Sequence, residues 1–214
     1  METLADRAYR VLRKRILSHK FSSGHPLPQA RVARELGVGT IPLREAMIRL
    51  NAEGLIETVP HWGAQVRAWS LDDLTHLHEL RVALECQTAR LCATRVREKE
   101  RSELLARAKE VDALYTARPR DHATMITRDA AFHARIAELA ESPLLLKAFR
   151  SAHVLEVLLA EDERFDRDNT IELHPHMDVA EAIAAGDAGI AYAAMRQHLS
   201  LSPAQMAKSL RREC

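Results

Sequence analysis

Long apolar runs are missing from this sequence of 214 residues. None approaches the roughly 18 to 20 residues that a membrane-spanning helix requires. The opening stretch Met1-Glu2-Thr3-Leu4-Ala5-Asp6-Arg7 has no apolar core of the kind a secretory signal carries. A soluble, cytoplasmic protein is expected. Aromatic residues are scarce, at 4%, and a chain dominated by Ala, Leu and Arg favours packed helices over sheet. Cysteine is equally sparse: Cys86, Cys92 and Cys214 match no CxxC spacing and suggest no disulfide framework. They are expected to be inert.

A large net charge is also lacking, since the formal value is only +1. The charge is unevenly spread, however. Residues 1–70 hold 11 Lys/Arg against 6 Asp/Glu, a net of +5, and the remainder holds 20 against 24, a net of −4. A basic head on an acidic body is the asymmetry expected when one end meets phosphate.

Periodicity predicts a first helix from about Thr3 to Ser18, with Leu4, Ala8, Val11/Leu12 and Ile16 along one face. Breakers from Phe21 to Pro26 end it. A short helix follows near Gln29 to Leu36, with Val32, Ala33 and Leu36 inward, and Gly37-Val38-Gly39 forms a tight turn. Gly37 suits a left-handed position there. Pro42 is expected to open a third helix running to about Glu53, which Gly54 stops. The period then changes, and Leu55–Val59 and Ala64–Arg67 read as two strands around Pro60-His61-Trp62-Gly63. Three helices and a two-stranded ribbon make the winged helix-turn-helix order.

Beyond Ser70 the pattern is helical throughout, with segments expected at about 71–94, 99–117, 121–141, 143–160, 170–185 and 187–200. A short helix is expected after Pro203. The predicted fold is therefore mainly α: an N-terminal winged helix-turn-helix (1–70) plus a C-terminal antiparallel all-helical bundle (71–214).

A recognition helix presents its N-terminal end to the bases. Arg44 is placed there, and an Arg can bridge guanine O6 and N7. Arg49, about 140° further round the helix, suits support or phosphate contact. Thr40 can donate to phosphate at the helix N-terminus or simply cap it. Arg31 and Arg34 on the preceding helix are candidate phosphate neighbours, and His61 and Trp62 at the wing tip could reach the minor groove or backbone. A single head reads too few base pairs, so a homodimer on an inverted repeat of double-stranded DNA is expected.

In the helical half, Asp129 and His133 stand at i and i+4, where a carboxylate and an imidazole can chelate one cation. His176 and His198 lie on two later helices and can face the same point if those helices pack antiparallel. One Asp and three His suit Zn²⁺, with Ni²⁺ or Mn²⁺ as alternatives. Spacing alone leaves open an ordinary set of satisfied or solvated histidines.

The segments Leu36-Gly37-Val38, Pro42-Leu43-Arg44-Glu45-Ala46 and Arg49-Leu50-Asn51-Ala52-Glu53-Gly54-Leu55-Ile56 resemble the reading head of GntR-family transcriptional regulators, and Gly63 and Val66 match its wing. Glu79–Glu85, Asp129-Ala130-Ala131-Phe132-His133 and His176 through His198 resemble the ligand-sensing domain of the FadR-like branch. That resemblance implies a regulator, in the simplest case a repressor, and not an enzyme. It implies Asp129, His133, His176 and His198 as metal ligands, and a small carboxylate effector. It also implies Arg81 as a residue that can face the effector; the alternative for Arg81 is a buried pair with Glu85. One departure stands out: Gly39-Thr40-Ile41 stands where the family usually has Ser-Arg-Thr or Ser-Arg-Ile, so a cation is missing where the family has one. Two other readings stay open, a metal-dependent hydrolase-like enzyme and a regulator whose metal only props the fold.

Overall fold

The computed structural model describes residues 2–59, 63–117, 121–160 and 175–200, and its contacts divide it into two compact units after Ser70. The first unit holds α1 (Leu4–Leu17), α2 (Gln29–Leu36) and α3 (Thr40–Ala52) with strands β1 (Pro26–Leu27), β2 (Ile56–Val59) and β3 (Gly63–Val66). Helix α1 begins with a capping box: the Thr3 hydroxyl accepts the Asp6 N–H and the Asp6 carboxylate accepts the Thr3 N–H. Its buried stripe is Ala5, Ala8, Leu12 and Ile16. Leu4, expected inward, is 52% exposed, because the stripe begins one residue later.

Helix α2 ends at Gly37, whose φ of +62° is the left-handed conformation that favours glycine. Helix α3 starts two residues before Pro42, with Gly39 as its N-cap. Pro42 thus occupies the third helical position, where an N–H would have no intrahelical acceptor. The inward residues Leu43, Ala46, Met47 and Leu50 are buried as the periodicity requires.

The sheet has three strands rather than two, in the antiparallel order β1-β3-β2. Strand β1 was hidden among breakers; it is two residues long, too short for any period to appear. It pairs Pro26 with Gln65 and Leu27 with Ala64, and buries Leu27 completely enough to count in the core.

The second unit consists of α4 (Leu71–Arg95), α5 (Glu98–Thr116), α6 (His122–Leu139), α7 (Pro143–Ala160), α8 (His176–Ala184) and α9 (Ala188–His198). Helix α4 packs against α6, α7, α8 and α9, while α5 packs on α6 and α8. Alanines at the contacts, among them Ala89, Ala108, Ala180 and Ala191, are buried and let helices approach closely. Phe132, Ile136, Ile183 and Met195 fill the remaining space. Helix α8 starts at His176 after Pro175; residues 170–174 of the expected helix, and the helix expected after Pro203, lie outside the described residues. Burial pushes the thiols of Cys86 and Cys92 up to about 11 and about 12, which leaves them unreactive at neutral pH. Among the described residues no helix is long and apolar enough to cross a membrane.

Candidate metal centre and reading helix

Three histidines from three helices meet inside the helical unit. His133 of α6, His176 of α8 and His198 of α9 are all buried, and one ring nitrogen of each lies within 4.8 Å of the others. The Nε2 atoms of His133 and His198 are 3.3 Å apart. Asp129 joins them from one turn before His133, placing Oδ1 2.8 Å from His176 Nε2 and Oδ2 4.0 Å from His133 Nε2. The Tyr115 hydroxyl donates to Asp129 Oδ1 at 3.0 Å.

The opposite nitrogens of two rings are held by further carboxylates. His176 Nδ1 lies 2.7 Å from Asp112 Oδ1 of α5, and His133 Nδ1 lies 2.6 Å from Glu85 Oε2 of α4. Glu85 is itself paired with Arg81, whose Nε donates to Oε1 at 2.8 Å. Carboxylates outside and imidazoles inside is the arrangement that fixes the tautomer of metal-binding histidines.

Charge follows the geometry. Burial alone would lower the pKa of His176, but its bonds to Asp112 and Asp129 outweigh that and raise it to about 9. Burial would raise Asp129, yet the His176 bond and the neighbouring charges of His133, His176 and Arg81 hold it well below the usual carboxylate range. Glu85 is held down the same way by Arg81 and His133 against its burial. The pocket is therefore built to accommodate positive charge. Three inward nitrogens, a carboxylate beside them and two outer carboxylates fit a divalent ion by donor chemistry. His133, His176 and His198 are the histidines that would hold it, with Asp129 adjacent.

Asp112 was not visible in the sequence, being 64 residues from His176 and brought there only by the packing of α5 on α8. Glu85 was visible only as the i+4 partner of Arg81. That pairing exists, so Arg81 stands beside the cluster with its guanidinium engaged by Glu85.

In the first unit, Arg44 and Arg34 are exposed and make no ion pair among the described residues. Thr40 is the first residue of α3 and is exposed. Arg31 lies 3.7 Å from Glu35. Arg49 is committed within the unit: it bonds Asp6 at 2.8 Å and lies over the Tyr9 ring at 3.8 Å. Glu53 ties the same two helices by accepting from Tyr9 and from Arg13. His61 and Trp62 fall outside the described residues. Ile41 and Ile48 went unremarked in the sequence as surface residues, although they are among the most exposed large apolar side chains described.

The comparisons with known proteins follow this division. Residues 4–66 match the model of bacterial regulatory proteins of the gntR family, and residues 76–201 match the FCD domain. The chain belongs to the GntR family of transcriptional regulators. It is 28% identical over 205 residues to the "Probable D-xylose utilization operon transcriptional repressor" of Paenarthrobacter nicotinovorans, covering 92% of this chain and 86% of that one. It is also 28% identical over 198 residues to the HTH-type transcriptional repressor RspR of Escherichia coli strain K12, covering 89% and 83%. The solved structure of E. coli McbR/YncC has the same fold, with a TM-score of 0.65 at 18% identity over 93% of this chain and 94% of that one. The GntR family and these relatives are regulators, which removes the hydrolase-like alternative.

Proposed function

We propose that this GntR-family chain is a homodimeric, cytoplasmic repressor whose affinity for an inverted-repeat operator is set by a small carboxylate bound at a metal ion. Residues 1–70 form the DNA-binding domain, and residues 71–214 form the effector-binding and dimerisation domain. Arg44 contacts bases, while Thr40, Arg31, Arg34, His61 and Trp62 approach the backbone or grooves. Arg49 acts chiefly by holding α3 against α1. Repression is the sign carried by the two relatives' printed names.

The observation that carries the sensor reading is the convergence of the His133, His176 and His198 nitrogens within 4.8 Å, backed by Asp112 and Glu85. A divalent ion there, Zn²⁺ first and Ni²⁺ or Mn²⁺ next, supplies a Lewis-acidic centre for a carboxylate oxygen. Arg81 completes the recognition. A guanidinium carries five N–H donors, enough to serve Glu85 and a ligand carboxylate together.

The test is a mobility-shift titration of the Zn²⁺-loaded chain against the DNA upstream of its own gene, with a panel of small organic acids. Operator affinity that changes with one acid in wild type but not in His133→Ala or Arg81→Ala supports the proposal. Affinity indifferent to every acid, alongside normal metal content, would leave the ion a purely structural role.

A further inference from the structure

Helix α3 carries large apolar side chains on both of its sides. Its inward stripe of Leu43, Ala46, Met47 and Leu50 is complete, yet Ile41 is 81% exposed and Ile48 is 64% exposed. Single exposed apolar side chains need no explanation. Two stacked on the outer face of a recognition helix do. They stand at i and i+7, about 20° apart around the axis, near the middle of the arc that also carries Arg44. The charge available on that face is small: Arg49 is taken by Asp6, Thr40 is neutral, and exposed Glu45 repels phosphate.

A helix that enters the major groove meets only one apolar group on the base edges, the C5 methyl of thymine. Seven residues of helix rise roughly 10 Å, or about three base-pair steps, and Arg44 lies between the two isoleucines in sequence. Resting on the reading of α3 as the recognition helix, we propose that Ile41 and Ile48 read thymine methyl groups on either side of a base pair contacted by Arg44. Part of the sequence preference then comes from hydrocarbon contact, beside the polar contact made by Arg44, with little reliance on phosphate charge from this helix.

The test starts from a pool of random duplex DNA selected on the full-length protein. Each thymine of the enriched site is then replaced singly by deoxyuracil, which removes the C5 methyl and nothing else. One or two positions per half-site should weaken binding about fourfold each. That penalty should vanish at one position in Ile48→Ala and at another in Ile41→Ala, with circular dichroism unchanged, since both side chains are exposed. Equal affinity for every uracil-substituted site, with sequence preference still lost in Arg44→Ala, overturns the methyl contact and leaves the DNA-reading assignment standing. Isoleucine variants that alter the oligomeric state with no methyl dependence in wild type assign the pair to a protein contact and also overturn it. Failure to enrich any sequence removes both the proposal and the reading beneath it.

Discussion

Asp112 holds His176 at two points and its neighbour Met177 at a third. Its Oδ1 accepts the His176 backbone N–H at 2.9 Å and lies 2.7 Å from ring Nδ1, and its Oδ2 accepts the Met177 N–H at 3.0 Å. Helix α8 has Pro175 as its N-cap and no capping side chain of its own. One carboxylate from α5 therefore serves as both the helix cap and the outer partner of an imidazole. Asp112→Ala should cost about 1–3 kcal/mol of stability and weaken metal binding about 10- to 100-fold. Thermal denaturation beside a Zn²⁺ titration checks both. A variant with wild-type melting and wild-type Zn²⁺ affinity contradicts the double role.

The reading head should show an acid-sensitive tie between α1 and α3. Hydrogen bonds from the Thr3 hydroxyl and then from Arg49 lower the Asp6 carboxyl from 3.8 to about 2. A depressed carboxylate contributes stability that is present above its unfolded pKa and is lost as pH falls through the folded one. The loss therefore belongs between 3.8 and about 2. Asp6→Asn should flatten the pH dependence of unfolding in that window and lose the same amount of stability at neutral pH, a small amount because the pair is exposed. An unchanged acid limb in the variant would count against the tie.

Two neighbouring positions on α3 should respond in opposite ways to the same substitution. Leu50 is fully buried, so Leu50→Ala should destabilise by about 2–5 kcal/mol through lost contacts and a cavity. Ile48→Ala should be within about 0.5 kcal/mol of wild type, as expected of a surface site. Urea unfolding of the two variants decides this, and a large cost at Ile48 would mean the helix face is wrongly assigned.

Arg44→Ala should abolish specific operator binding while leaving the fold intact, since Arg44 is exposed and makes no ion pair among the described residues. Thr40→Arg should raise affinity and steepen the dependence of log K on log salt by about one. Binding measured across a salt series separates the two effects. An unchanged slope in Thr40→Arg would remove that position from the phosphate interface.

What the sequence disclosed depended on how local each signal was. The bounds of α2 were legible because Val32, Ala33 and Leu36 set its period and Gly37 its end, all within nine residues. The four residues Asp129, His133, His176 and His198 were named through family resemblance, and folding does bring the three imidazoles together. Asp112 left no trace, because its role exists only once α5 lies on α8. Strand β1 was illegible for a different reason: two residues cannot display a period, and Pro26 reads as a breaker. Ile48 was missed because it lies beside the core residue Met47 in sequence, and Ile41 because it precedes the inward stripe that begins at Leu43; apolarity alone does not say which side of the helix is covered.

The metal content of the purified chain tests the sensor most directly. Wild type should carry about one divalent ion per chain, and His133→Ala and His198→Ala should carry much less. Affinity for the ion should weaken as pH falls below about 9, because the raised pKa of His176 lets a proton compete with the ion for that imidazole. Equal metal in all three proteins, or a wild type that takes up no added Zn²⁺, Ni²⁺ or Mn²⁺, would contradict the assignment of His133, His176 and His198 as a metal centre.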